Sequence, residues 1–176
     1  NHKQFKKPII IVQNIRKSLA EASSVFYKKK PQNIIAVTGT NGKSSVADFF
    51  YQILNLNKIP VAVIGTLGIY SKYYKKKTKL TSIDPVLLHK SLQILAIKKI
   101  NHVILEASSH GLDQNRLDQI NIKTGIFTNL SHDHLDYHKN MKLYLNSKMY
   151  LFKELLNKKS KIITDEENKE FKILQE

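Results

Sequence analysis

A glycine-rich run with one lysine and three hydroxyls, Gly39-Thr40-Asn41-Gly42-Lys43-Ser44-Ser45, follows directly on the apolar Ile34-Ile35-Ala36-Val37-Thr38. Glycines let a chain turn tightly and bring bare N–H groups close to phosphate oxygens, and a helix that begins at such a turn points its positive end at the same place. Lys43 is then placed to reach outer phosphates and Ser44 to offer its hydroxyl to magnesium. The spacing is G-x-x-G-K-S, shorter than the general G-x-x-x-x-G-K-[ST] pattern. The plain alternative is a strand-to-helix turn with a solvated lysine.

Two further clusters follow apolar runs. Glu106 ends His102-Val103-Ile104-Leu105 and leads into Ala107-Ser108-Ser109-His110-Gly111-Leu112-Asp113-Gln114-Asn115-Arg116. A carboxylate at a strand end suits a magnesium ligand, or it merely ends the strand. Arg116 is conspicuous in a chain whose basic residues are nearly all lysine. Its planar two-point grip suits a carboxylate or phosphate, the alternative being an ion pair with Asp113 or Asp118. The second cluster, Thr128 through His138, holds His132, Asp133, His134, Asp136 and His138. Imidazole and carboxylate are competent zinc ligands, whereas magnesium prefers oxygen. Residue chemistry leaves zinc and magnesium both open, and the neighbouring phosphate loop favours magnesium.

Helical spacing singles out one more residue. At 100° per residue Lys148 shares a face with Tyr144, Leu151, Phe152 and Leu155, opposite Lys142, Asn146, Lys153 and Asn157. A buried ammonium is costly unless it is paired, neutral or chemically converted. Otherwise its stem snorkels past the apolar stripe to water.

These residues need elements to hold them at one place. The sequence predicts a helix over Ile15 to Tyr27, spaced through Leu19, Ala22 and Phe26, after a short apolar run from Pro8 to Val12. Lys28-Lys29-Lys30-Pro31 breaks the pattern and is read as a boundary before the main domain. Strands are expected at Ile34 to Thr38, Val61 to Ile64, His102 to Glu106, Gly125 to Thr128 and Lys161 to Thr164. Helices are expected at Ser44 to Leu56, Pro85 to Lys98 and Met141 to Leu156, and Tyr70 to Lys79 reads as an exposed hairpin or loop. Continuous apolar strands alternating with helices predict an α/β fold with a mainly parallel sheet flanked by helices. Ligands in such folds gather at the C-terminal strand ends, where all the clusters fall.

Composition narrows the classes. With 176 residues and 41% apolar content, the chain can bury one good core. It has no cysteine, which excludes disulfides and thiolate metal sites. No stretch approaches the roughly 20 apolar residues of a membrane span, and a cytoplasmic protein is expected. The net charge of +15 is spread over lysines, with Arg16 and Arg116 the only arginines. No recognition motif accompanies it, so no specific nucleic-acid partner is expected.

The phosphate loop, the Glu106 to Arg116 segment, Thr128 through His138 and Lys148 in Asn146-Ser147-Lys148-Met149-Tyr150-Leu151-Phe152 together resemble the Mur ligase family. Most of the chain, from about Pro8 to Thr164, takes part, and the shortened loop is the form this family uses. The resemblance implies that 1–32 is the end of an N-terminal domain and linker and that 33–176 is a P-loop NTPase-like central ATP-binding domain, here C-terminally truncated, in an ADP-forming ligase. It implies that Gly39, Thr40, Asn41, Gly42, Lys43, Ser44 and Ser45 bind ATP and that Ser44, Glu106 and His134 serve magnesium ions. Lys148 would be carbamylated and would also face the metal, so that Lys43, Glu106, His134 and Lys148 form the catalytic set. Thr81, Ser82, Ser108, Gln114 and Arg116 match positions that bind UDP-MurNAc-dipeptide. Ser82 stands where a second threonine is usual, and Ser44 where threonine is common. The implied reaction joins a diamino acid, meso-diaminopimelate or L-lysine, to UDP-N-acetylmuramoyl-L-alanyl-D-glutamate by way of an acyl phosphate, in an enzyme that is monomeric at full length. The alternatives are a folylpolyglutamate synthase or another ligase of the superfamily, and a nucleotide-binding module without ligase activity.

Overall fold

The computed structural model describes residues 8–175. In chain order the elements are α1 (Ile15–Phe26), β1 (Asn33–Thr38), α2 (Lys43–Leu56), β2 (Val61–Gly65), β3 (Gly68–Ser71), β4 (Lys75–Lys76), α3 (Pro85–Ile97), β5 (His102–Glu106) and α4 (Ser109–Asp113). They continue as β6 (Ile122–Phe127), α5 (Leu135–His138), α6 (Met141–Tyr150), a π-helical turn (Leu151–Leu155), β7 (Leu156–Ile163) and α7 (Phe171–Gln175). Among the described residues no helix is long and apolar enough to cross a membrane.

The strands form one sheet in the order β4-β3-β2-β5-β1-β6-β7. The five strands from β2 to β7 in that order run parallel, and β3 and β4 add an antiparallel edge. Every residue of β2 is buried, as are Val103, Ile104, Leu105 and Glu106 of β5, which is the signature of central parallel strands covered on both faces. The expected mainly parallel α/β sheet is therefore the observed one. The Tyr70 to Lys79 region forms β3 and β4, with Lys75 and Lys76 exposed as read from the sequence.

Local signals set the helices that matter to the site. α3 starts at an Asp-Pro pair, in which Asp84 Oδ1 accepts from Leu87 N at 2.9 Å and Pro85 occupies the first turn. Asn140 caps α6 in the same way, accepting from Leu143 N at 2.9 Å. α2 instead begins at Gly42, with no side chain capping its first amides.

Several boundaries differ from the sequence expectation. The helix read over Met141 to Leu156 widens into the π turn after Tyr150, and β7 begins at Leu156 rather than Lys161. Pairing with β6 is what extends β7, a non-local partner that periodicity does not contain. β6 likewise starts at Ile122, earlier than Gly125, through its ladder with β1. α1 turns Ala20 and Ser23 inward against α3, leaving Leu19 and Phe26 exposed, because small side chains allow the closer approach of two helices. The Pro8 to Val12 run forms no strand and is exposed.

Candidate functional site

Strand order brings together what the sequence keeps apart. β1 lies between β5 and β6, so the loop after β1 has Glu106 on one side and the segment beginning at Thr128 on the other. A cavity of about 310 Å³ opens there, lined by the Thr40 to Ser45 run and by Thr66, Thr81, Ser108, Ser109, His134, Tyr144 and Lys148.

The loop is held from behind. Gly39 adopts φ +147°, and a Cβ at that position would sit 1.9 Å from Thr128 Oγ1, so the close approach to the β6 end admits only glycine. Thr40 N donates to Asn129 O at 2.9 Å and Asn41 N to Asn129 Oδ1 at 3.0 Å. Thr128 Oγ1 donates to Asn41 O at 2.6 Å. The amides of Thr40 and Asn41, counted in the sequence reading among phosphate-binding groups, thus serve to shape the loop. The uncapped start of α2 at Gly42, Lys43 and Ser44 is left to meet an anion.

Two lysines converge on one carbonyl. Lys43 Nζ donates to Gly39 O at 2.9 Å and to Thr40 O at 2.8 Å, and Lys148 Nζ donates to the same Gly39 O at 2.8 Å. Lys148 is 1% exposed and packs its ammonium 4.3 Å from the Tyr144 ring centroid, so it does not snorkel to solvent. Burial, with the Lys43 charge adding to it, pushes the Lys148 amine down to about 7. Burial also lowers Lys43, against the attraction of Glu106 and Asp133. Among the described residues the one ion pair is His134 Nε2 with Asp133 Oδ2 at 3.5 Å, so neither lysine is neutralised by the protein. The cavity is poised for a polyanion.

Opposite the lysines sits a carboxylate served by hydroxyls. Glu106, 3% exposed, accepts from Ser44 Oγ at 2.7 Å and from Thr66 through Oγ1 at 2.9 Å and N at 3.1 Å. A hydroxyl that donates inward to a carboxylate turns its lone pairs outward, so Ser44 offers oxygen to a cation. Among the described residues no three His, Asp or Glu side chains close around a metal position. The zinc reading of the 132–138 segment therefore has no preformed ligand set. The donors present are the oxygens of Ser44 and Glu106, which fits magnesium with waters and phosphate oxygens completing its shell. His134 lines the same cavity in a left-handed backbone conformation, φ +51° and ψ +30°, where it begins α5. His138 is instead a packing residue, buried with Nε2 2.9 Å from Ser109 Oγ.

Of the remaining sequence candidates Thr81 and Ser108 line the cavity, whereas Ser82, Gln114 and Arg116 are not part of its lining. Ser82 Oγ donates to Glu106 O at 2.9 Å and accepts from Ser108 N at 2.8 Å and Ser108 Oγ at 3.0 Å, so it braces the turn after β5. Arg116 donates through Nη1 to Ser82 O at 2.7 Å and through Nε and Nη2 to Gln114 Oε1. Its expected alternative partners are engaged elsewhere, Asp113 by Tyr137 Oη at 2.7 Å and Asp118 by Tyr150. Arg116 thus keeps donors for an external anion.

Sequence reasoning did not single out Thr66, and it took Asn129 and Ser131 only as members of the Thr128 to His138 segment, without a role of their own. Tyr144 was placed on the Lys148 face, but the contact of its Oη with Thr40 Oγ1 at 3.2 Å is purely tertiary. Thr66 carries only the signal of standing directly after an apolar strand.

Comparisons with known proteins agree with this geometry. The profile of the Mur ligase middle domain matches residues 37–176. The UDP-N-acetylmuramoyl-L-alanyl-D-glutamate--2,6-diaminopimelate ligase of Brucella melitensis biotype 1 is 48% identical over 151 residues, 86% of this chain and 31% of that protein. The enzyme of the same name from Rickettsia bellii is 39% identical over 178 residues, 99% of this chain and 38% of that protein. A solved structure of a UDP-N-acetylmuramoyl-L-alanyl-D-glutamate--2,6-diaminopimelate ligase superposes with a TM-score of 0.80 at 29% identity, covering 94% of this chain and 34% of that one. The chain spans about a third of the length of the curated relatives it matches.

Proposed function

The chain belongs to the Mur ligase family through its middle domain, and on that premise we propose that it supplies the ATP-binding, acyl-activating part of an ADP-forming amide ligase. The acceptor is UDP-N-acetylmuramoyl-L-alanyl-D-glutamate and the added amine a diamino acid, diaminopimelate being favoured by the names of the relatives. In that reading residues 33–176 are the central ATP-binding domain and 1–32 the end of a preceding domain and linker. A cytoplasmic setting, where ATP and nucleotide-linked precursors meet, belongs to the same reading.

The observation that carries it is one cavity lined by the Lys43 loop, by Ser44, whose hydroxyl donates to Glu106, and by buried Lys148. The substrate carboxylate displaces ADP from the γ-phosphoryl group to form an acyl phosphate, and the amine then displaces inorganic phosphate with loss of a proton. Magnesium, held by Ser44, Glu106 and His134, would supply charge neutralisation on the phosphates. Lys43 leaves the loop carbonyls to meet the transferring phosphoryl, and the free donors of Arg116 and the Thr81 and Ser108 hydroxyls orient the acyl substrate. These residues act by positioning and charge.

Lys148 completes the set as a carbamate. Its neutral amine attacks carbon dioxide, loses one proton to water and becomes an anion. That change replaces repulsion from Lys43 with attraction and turns a cation facing the magnesium region into an oxygen ligand. The depressed basicity of the buried amine supports the reading, since only the unprotonated form reacts.

The test is an ADP-release assay on the protein, with the UDP-linked dipeptide and either diaminopimelate or L-lysine. Release dependent on diaminopimelate is expected. Release with lysine alone would revise the amine, and release with a folate acceptor but not the UDP-linked one would overturn the assignment.

A further inference from the structure

Proton bookkeeping around Glu106 assigns a role to a residue outside every motif. Glu106 as a carboxylate can only accept. Ser44 Oγ and Thr66 Oγ1 lie 2.7 and 2.9 Å from the same oxygen, Oε2, and Thr66 N lies 3.1 Å from Oε1. Both hydroxyl protons are therefore directed at Glu106. Thr66 Oγ1 is also 3.1 Å from Thr81 Oγ1, and with its one proton already given to the carboxylate it must accept there. Thr81 donates to Thr66, Thr66 to Glu106. The direction of the whole chain is set by its terminal carboxylate.

We propose that Thr66 is a positioning residue that holds Glu106 against Ser44 on the magnesium side of the cavity and makes Thr81 present an oxygen, not a proton, on the acyl-substrate side. The group that Thr81 meets is then a hydrogen-bond donor, an amide N–H or a hydroxyl of the substrate. The preceding residue makes room for this arrangement: a Cβ on Gly65 would lie 2.0 Å from Glu106 Oε1. Gly65-Thr66 is thus a socket for the carboxylate, with the glycine admitting one oxygen and the threonine gripping both. Thr66 itself is exposed, so exchanging its hydroxyl for a methyl leaves the core untouched.

The proposal rests on the magnesium-nucleotide reading, and its test separates the two. Calorimetry measures ADP affinity for the full chain with magnesium and with chelator, for the parent, Thr66→Val and Thr66→Ser. Magnesium should tighten ADP in the parent, Thr66→Val should cut that tightening about tenfold, and Thr66→Ser should restore it. Affinity in chelator should be the same for all three. A magnesium effect unchanged in Thr66→Val, or a deficit equally deep in Thr66→Ser, would overturn the positioning role while leaving the function standing. Absence of any magnesium effect in the parent would overturn the metal reading and this role with it.

Discussion

Two buried bases, on different helices, obey the same electrostatics and mean different things. Lys148 on α6 is 1% exposed and His89 on α3 is 0% exposed. Burial is the main cause that lowers each, with a nearby lysine second, Lys43 for one and Lys30 for the other. Lys148 falls to about 7 and His89 to about 4. Lys148, however, faces a polar cavity at the C-terminal strand ends, where its amine can react. His89 lies in the helix layer with Nε2 3.2 Å from Asp118 O and Nδ1 without a partner. A depressed basicity marks burial. Only access to a ligand-sized space turns it into chemistry.

The sharpest break of this comparison is mutational. In the ligase assay, Lys148→Ala should lower kcat by about 10²–10³-fold, as the loss of one preorganised charge-stabilising group does elsewhere. Small carboxylates should restore part of the rate, because they supply the missing anion, and should do nothing for Lys148→Arg, which keeps a cation. His89→Gln should leave kcat alone. Equal kcat losses at both positions would show that the two sites do not differ in kind.

Lys43→Ala comes next in size. Removing the one loop lysine should weaken a non-hydrolysable ATP analogue by about a hundredfold in calorimetry, the upper range for a charge-assisted contact. Equal affinity of both forms would mean that the convergence of Lys43 and Lys148 on Gly39 O is an internal arrangement, unrelated to nucleotide.

The smallest effect concerns stability and sharpens the contrast by pH window. His89 has a folded value of about 4 against an ordinary 6.5. Above pH 6.5 both states are neutral there, and as pH falls towards 4 the unfolded chain binds the proton first. Stability should drop through that window, by roughly 3 kcal/mol at most, and His89→Gln should flatten the drop. For Lys148 the sign is the same but the window runs from about 7 to 10.5, the unfolded lysine holding a proton that the folded one has released, so ligand-free stability should climb there. Urea midpoints across pH check both. An acid limb that is unchanged in His89→Gln would assign it to the carboxylates instead.

The chemistry of the site was readable because it is written in short segments. Gly39 to Ser45, Glu106 and Lys148 each stand at the end of an apolar run or on a helix stripe, and the structure places each in or beside the cavity. Thr66 was missed because only its place after an apolar strand marks it, and Asn129 and Ser131, inside the Thr128 to His138 segment, were given no role of their own. Each works through a partner far away in the sequence, as Asn129 does in holding Thr40 and Asn41. The end of α6 was misread for a related reason, since the π turn and the early start of β7 follow from the β6 ladder.

Residue types and local periodicity determined the elements, the mainly parallel sheet and the inventory of reactive groups, because side-chain spacing reports which face of a helix or strand is apolar. The tertiary structure decided which groups meet. With β1 set between β5 and β6, Glu106 comes within hydrogen-bond distance of Ser44, 62 residues away in sequence, and Lys148 within reach of Gly39 O, 109 residues away. Whether Lys148 snorkelled or pointed inward, and which way the protons of Thr81, Thr66 and Ser44 face, depends on neighbours supplied across the sheet. Hydrogen-bond direction is set by the nearest obligate acceptor, and in this fold that acceptor is Glu106.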